Sequence, residues 1–259
     1  MPTGIGCGIA GQVFGGVRAP LPDPCPTDYS IELDGVTEKA FLLGGPDIST
    51  SDFSFSCWIK VPDVTGGGAG MGIYISQSAT AGALNIGFSA AGVLEATATD
   101  TGSGVLKFTA GPGGITENVW HHIVLSVDRS ANWKWYVDGV NTATANLSAI
   151  VTAFPTFALT IAYGNTAGVN YFSGHATETS MWDSPLSSAD VLSIYNNMSG
   201  NQTCLNELSI SSNLIRWWRM EGEGPWTGYS QNVAPGAVGN QYLQWANMDA
   251  TNLSTDVPT

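Results

Sequence analysis

This sequence is short of charge. Asp, Glu, Lys and Arg make up 11% of its 259 residues, where an average soluble domain carries roughly 25%. Long helices laced with surface ion pairs are therefore disfavoured. Positive charge is the scarcer sign: eight Lys plus Arg stand against 21 Asp plus Glu, a formal net charge of −13. Without a basic patch the chain cannot neutralise phosphates, so nucleic acid is not an expected partner. Anionic membrane surfaces are disfavoured for the same reason. No run approaches the ~18 apolar residues of a membrane span, so membrane insertion is not expected either. The four cysteines, Cys7, Cys25, Cys57 and Cys204, include no CxxC pair, which argues against structural zinc. Disulfides among Cys7, Cys25 and Cys204 stay open. The opening "MPTGIGCGIAGQVFGGVRAP" lacks the basic start and unbroken apolar core of a secretory signal. The expectation is a chain not exported by a cleaved signal, with reduced cysteines.

What the chain does have is glycine, small polar residues and apolar residues. With 32 glycines and 43% hydrophobic residues, the composition suits many short strands joined by turns around a substantial core. Residues 1–27 form a Gly/Pro-rich stretch in which "RAPLPDPCP" cannot sit inside a sheet, and an extended arm is expected. Its "GCGIAG" matches GxGxxG only formally, since no strand precedes it and no helical period follows. From Tyr29 the pattern turns to period two. In "DFSFSCWIKVP", Phe53, Phe55, Cys57 and Ile59 alternate with Ser54, Ser56, Trp58 and Lys60, the signature of a half-buried antiparallel strand. "MGIYISQS", "LNIGFSAAG", "VLEATAT" and "VLKFTAG" continue the series.

"WHHIVLSVDRSANWKWYVDGV" holds adjacent histidines, which invites a metal reading. On a strand, however, neighbours point apart. His121, Ile123, Leu125 and Val127 share one face, and His122, Val124 and Ser126 share the other. The pair cannot ligate one ion from one strand. The stretch reads as a β-meander with a tight turn at Asp138–Gly139, and Trp120, Trp133 and Trp135 are expected to pack. One helix stands out, "SPLSSADVLSIYNNMSG", with Ser187 and Asp190 spaced as a capping box. "LIRWWRMEGEG" returns to alternation. The sandwich is expected over 28–221, with 222–259 packed on it and "YLQW" adding an edge strand.

The order of "IELDGVTEKAFL", "FSFSCWIKVPD", "GITENVWHHIVLSVD", "WYVDGVNTATA" and "YFSGHATETSMWDSPLSSADVLSIYN" resembles the laminin-G-like, concanavalin-A-like sandwich domains. The resemblance covers roughly Tyr29 to Tyr195 and implies an all-β fold, two curved antiparallel sheets stacked as a jelly roll. Such folds host lectins, adhesion modules, glycosidases and virion proteins, so fold alone does not give function.

Glycosidases of this kind place a carboxylate pair on one strand, in patterns such as E-x-D-x-E. Glu32, Asp34 and Glu38 match poorly, and Glu178 and Asp183 are separated by "TSMW". No G-x-S-x-G elbow is present, so catalysis is not expected. Relatives commonly hold Ca²⁺ at the rim, and the resemblance suggests Asp138, Asp183 and Asp100 as rim ligands. No other cofactor is called for. Glycan binding would use loop aromatics, for which Trp182, Trp226, Tyr229 and Trp245 are the candidates. Asn146, Asn197, Asn201 and Asn252 begin N-x-S/T matches, which chance supplies in so Asn-, Ser- and Thr-rich a chain. The leading expectation is a non-catalytic structural protein of a bacteriophage virion, a decoration, fibre or tail component. Its arm would bind other virion proteins and its homo-oligomeric sandwiches would project outward, where they could meet host glycans. The alternative is an extracellular, secreted or cell-surface carbohydrate-binding lectin-like module.

Overall fold

In a computed structural model the described residues are 29–42, 48, 50–66, 71–76, 84–100, 104–110, 114–148, 150, 154, 159–161, 171–197, 205–220, 229–230, 234 and 243–258. The arm, with Cys7 and Cys25, lies outside them, as do Cys204 and Trp226. The described strands form two antiparallel sheets, the jelly-roll sandwich that the resemblance implies.

The first sheet runs, in spatial order, through β10 (Val140–Asn146), β9 (Asn132–Val137), β8 (Trp120–Val127), β3 (Phe53–Lys60), β12 (Ser173–Trp182), β1 (Ser30–Asp34) and β16 (Leu253–Ser254). A further strand, β13 (Leu214–Trp218), also pairs with β12. The second sheet runs through β14 (Tyr229–Ser230), β15 (Leu243–Ala246), β2 (Lys39–Leu42), β11 (Leu159–Ile161), β4 (Met71–Ser76), β5 (Leu84–Phe88), β6 (Leu94–Asp100) and β7 (Gly104–Thr109). The "LQWA" strand β15 is not at the edge: it lies between β14 and β2.

Period two fixes what lies between the sheets. Phe53, Phe55, Cys57 and Ile59 of β3, Ile123, Leu125 and Val127 of β8, and Trp133 and Trp135 of β9 are buried in one cluster with Leu84, Ile86 and Phe88 of β5. Trp135 also satisfies its indole by donating to the Phe108 carbonyl at 2.9 Å. Asp138 and Gly139 turn the chain between β9 and β10 with φ of 49° and 77°, the left-handed values a two-residue hairpin requires.

The other face of the first sheet departs from the expectation. Alternation predicted a solvated polar face, yet β3 is buried from Phe53 through Ile59. A second core covers it. Val124, Tyr136 and Trp182 pack there against Leu186, Leu205, Leu214, Trp217 and two residues, Val191 and Ile194, of helix α1 (Ser188–Asn196). Ser187 caps the helix, and both halves of the capping box with Asp190 are formed. Small serines make the docking possible. Ser54 Oγ donates to the Ser184 carbonyl at 2.8 Å and accepts from the Leu186 amide at 2.9 Å. Ser126 Oγ donates to the Leu186 carbonyl at 3.0 Å. The polar side of the alternation is thus a seat for chain, because a hydroxyl can pair the buried backbone groups that water would otherwise satisfy.

Candidate functional site

Beyond the edge of the second core, the same outer face carries a row of large polar and aromatic side chains. The register pairs Glu32 with His175, His175 with Lys60, and Lys60 with Trp120. Directly paired residues project to one side of a sheet, and Ile31, Leu33 and Ile59 occupy the opposite, inner side. The row therefore crosses four strands, about 14 Å at ordinary strand spacing. Glu32 is exposed, while His175, Lys60 and Trp120 are half-buried. Gly174 sets this register closely: a Cβ there would lie 2.3 Å from the Lys60 carbonyl.

Asp256, two residues beyond β16, reaches over the row. Its carboxylate accepts from Lys60 Nζ at 2.5 Å and from the Trp120 indole at 2.8 Å. Ser30 Oγ donates to the Asp256 carbonyl at 2.6 Å and lies 3.3 Å from His175 Nδ1. The His175 and Trp120 rings are 6.0 Å apart. Partial burial works to raise the Asp256 carboxyl. The hydrogen bonds from Lys60 and Trp120, with the charges of Lys60 and His175, overcome it and hold the group below the usual aspartate range. Burial drives His175 the other way for a base, below its ordinary value despite Glu32 and Asp256 nearby. The arrangement offers an aromatic face, a cation, an imidazole and carboxylates on one accessible strip.

The residues expected to bind glycans are scattered. Trp182 is fully buried in the second core, its indole donating to Ser180 Oγ at 3.2 Å, and it presents no face to a ligand. The loop that was to expose it instead leads into α1, which closes over it. Trp245 is half-buried against the main core. Tyr229 pairs along the backbone with Gln244, next to Trp245, so the fold brings Tyr229 and Trp245 to neighbouring strands, on the sheet opposite Trp182.

The calcium candidates do not converge. Asp138 spends both oxygens on its neighbours: one accepts from the His122 amide at 2.9 Å, the other lies 2.7 Å from His121 Nδ1. The Thr116 amide donates to His121 Nε2 at 2.9 Å, so the ring proton sits on Nδ1 and points at Asp138. Asp183 follows Trp182, which pairs with Ser54, whereas Asp138 is tied to His122, which pairs with Trp58. Those levels are about 13 Å apart along the strands, so Asp138 and Asp183 cannot share an ion. Among the described residues no cluster of three metal-ligating side chains occurs. The Asp100 side chain lies outside the described set.

Two other groupings have reactive chemistry in name only. Ser56 Oγ lies 2.7 Å from His122 Nε2. His122 is fully buried beside Trp58 and beneath Tyr195, with ring centroids 5.3 and 6.1 Å away, and its Nδ1 has no partner to orient it. Burial pushes its pKa down to about 4, so it stays neutral. Glu178 sits in a bulge of β12 at φ 51°. It is buried and accepts from the Trp217 indole at 2.5 Å and from Arg219 Nε at 3.3 Å. The Cys57 thiol is buried and free, raised to about 12 by that burial, and is inert.

Sequence reasoning missed the row. Trp133 and Trp135 are buried as expected, but Trp120, expected to pack with them, stands on the other face and is half-buried. Alternation already separated His122 from His121, and one residue further back it puts Trp120 on the face of His122; on β3 it places Lys60 with Trp58. No signal in the sequence pointed to Asp256, 136 positions from Trp120.

A family model for the concanavalin A-like lectin/glucanases superfamily matches residues 34–192. No curated protein sequence matches the chain. Among solved structures, a Bacteroides ovatus protein provisionally described as carbohydrate binding superposes with a TM-score of 0.58 at 16% identity, covering 85% of this chain and 59% of that one. The binding domain of Paraclostridial mosquitocidal protein 1 gives 0.51 at 16% identity, covering 68% and 47%. A heptameric SAP-like pentraxin from Limulus polyphemus gives 0.50 at 14%, covering 65% and 82%. This chain thus spans little more than half of the first structure and less than half of the second. At such identities the likeness is one of fold.

Proposed function

The chain belongs to the concanavalin A-like lectin/glucanases superfamily, and from that premise we propose that it is a carbohydrate-binding, lectin-like module that acts without catalysis. One observation carries the reading: Trp120 is half-exposed on a sheet face beside His175, Lys60 and Glu32. Sugar recognition needs an apolar face for the ring's C–H surface and nearby polar groups that fix hydroxyls, and this strip supplies both. The description of the Bacteroides ovatus protein supports the same class. Display outside a cell goes with it. A place in a virus particle draws support from none of the matches, and the arm that would anchor it lies outside the described residues.

Glutamate and aspartate groups in the row do not make a glycosidase pair in this reading, because Asp256 is held by Lys60 and Trp120. The test is calorimetric titration with a panel of neutral and acidic oligosaccharides. Trp120→Ala should weaken binding at least about tenfold, as loss of a stacking aromatic does. Trp245→Ala probes the competing pair of strands β14 and β15. If Trp245→Ala abolishes binding and Trp120→Ala leaves it intact, the row is not the site.

A further inference from the structure

The contacts around Asp256 have the form of a bound ligand. Its carboxylate bridges two donors from different strands, Lys60 Nζ of β3 at 2.5 Å and the Trp120 indole of β8 at 2.8 Å. A cation and an N–H converging on two oxygens of one carboxylate is the charge-assisted arrangement by which proteins hold free carboxylates. The segment that delivers it is anchored upstream, where Asn252 donates to the Glu32 carbonyl and to Glu38 and Leu253 packs on the core, and has fewer ties beyond. Strand β16 contributes two paired residues, Ser254 with Ser30 and Leu253 with Ile31, and past them Ser30 Oγ holds the Asp256 carbonyl. The side chain of Asp256 is 38% exposed and that of Lys60 25%, so water reaches the pair, and exposed ion pairs of this kind stabilise a fold little. The partners of Asp256 here are groups a sheet face could equally offer to a molecule from outside. His175 lies beside them, 6.0 Å from the Trp120 ring, and Ser30 Oγ lies at its edge.

We propose that Lys60 and Trp120 form a carboxylate subsite for an acidic sugar, a hexuronate-type residue, and that Asp256 occupies this subsite in cis until the sugar displaces it. The inference rests on the carbohydrate-binding reading and names its ligand class. The sugar carboxylate takes the place of the Asp256 carboxylate at Lys60 Nζ and Trp120 Nε1, and the ring lies along the strip toward His175. No bond is made or broken; one carboxylate exchanges for another, and the net charge of the subsite is conserved. A chain carrying −13 repels polyanions at long range, so selectivity for an acidic residue has to come from this local cation. A cis occupant lowers the apparent affinity by the fraction of molecules in which the subsite is open.

The experiment titrates tetragalacturonate and its carboxyl-reduced, neutral counterpart into the full chain, by calorimetry at moderate salt. Asp256→Ala removes the competing carboxylate, and Asp256→Asn removes the charge while keeping the shape. Retained melting temperatures show that the Ser254 and Ser30 anchors hold. Both variants should bind tetragalacturonate about tenfold more tightly than the unchanged chain, matching a subsite that is nine-tenths occupied in cis. The neutral sugar should change less than about twofold, and adding Lys60→Gln should cancel the gain. Unchanged affinity in both Asp256 variants, or an equal gain for the neutral sugar, overturns the proposal while leaving Trp120-dependent sugar binding in place. A third probe is the peptide N-acetyl-Ser-Thr-Asp-Val-amide, which copies residues 254–257. If it binds Asp256→Ala and neither saccharide does, the subsite serves the same segment of a second copy and the sugar assignment is wrong. If no saccharide in the wider panel binds any variant, the carbohydrate reading falls and this proposal with it.

Discussion

The outer face of the first sheet has two halves built on the same strands, and they meet different fates. In one half, Ser54, Ser126, Ser180, Val124, Tyr136 and Trp182 lie under α1 and the chain from Leu205 to Ile210, with β13 alongside β12, and all are buried. In the other half, a few residues along β3, β8 and β12, Lys60, Trp120 and His175 reach solvent. Trp58 and His122, stacked beneath Tyr195, mark the boundary. The alternation is identical in both halves. The difference lies in size and hydrogen-bonding reach. Serine is short enough to let a backbone approach and can pair its amide and carbonyl. Lysine and glutamate keep their charges toward water, and what reaches over them is the charged Asp256 side chain rather than an apolar helix. One periodic pattern therefore yields a dry seat at one end and an accessible strip at the other.

The sharpest way to break this contrast is to truncate one tryptophan from each half. Trp182→Ala should destabilise the fold by about 3–5 kcal/mol, the cost of deleting a large buried ring and leaving a cavity, as read from denaturant midpoints. A loss below ~1 kcal/mol would mean that the α1 half is as loosely covered as the open strip.

The boundary has its own titration. His122 is neutral in the fold, with its pKa lowered by burial from 6.5 to about 4. Between those values the unfolded chain binds more protons than the folded one, so stability rises with pH across the window. It is fully present above pH 6.5 and is lost as pH falls toward 4. The size for His122 is of order 3 kcal/mol. His175, also lowered by burial, adds a contribution of the same sign. Asp34 and Asp256 lie below their ordinary value of 3.8, so their losses come at lower pH. Melting temperatures from pH 7 to pH 4 should fall steeply in the unchanged protein and much less in His122→Gln. Equal slopes would mean that water reaches His122 beneath Tyr195.

Much of this is legible in the sequence. Period two assigned Phe53, Phe55, Cys57 and Ile59 to the core and split His121 from His122. The capping box at Ser187 and the Asp138–Gly139 turn are local chemistry, and both are found where the residues stand. What failed was any inference about coverage. Trp182 ends β12 and was expected to be exposed by its loop, but that loop returns over it as α1. The bulge at Glu178 has no mark in "ATETS", because its buried carboxylate is satisfied by Trp217 and Arg219, about forty positions away. Asp256 meets Trp120 and Lys60 only once the sheet exists. Short-range spacing fixes faces and caps; which chain covers a face is set by partners far along the sequence.

The serine seat predicts a smaller effect than the buried ring. Ser54→Ala removes the group that pairs both the Ser184 carbonyl and the Leu186 amide. Two buried backbone groups lose a partner, which costs about 1–3 kcal/mol. Ser126→Ala, which leaves only the Leu186 carbonyl without its bond, should cost less. Hydrogen exchange should localise the loss to α1 and the chain leading into it. Uniform loss of protection over both sheets would mean that the serines support the sandwich as a whole and not the docking of the helix.

The smallest stability effect is expected from the tryptophan on the open strip. Trp120→Ala deletes a half-buried ring and one hydrogen bond to Asp256. Water can replace the bond, and the ring is already partly open to solvent, so no closed cavity forms. The cost should be below about 1 kcal/mol, in the range of surface substitutions and exposed ion-pair contacts. Binding should respond in the opposite order, with Trp120→Ala losing saccharide affinity and folded Trp182→Phe retaining it. Denaturant midpoints on Trp120→Ala and Trp182→Ala, and titrations on Trp120→Ala and Trp182→Phe, test the pair of expectations together. If Trp120→Ala is destabilised as much as Trp182→Ala, the two halves are one continuous core, and the strip has no free aromatic face to offer a sugar.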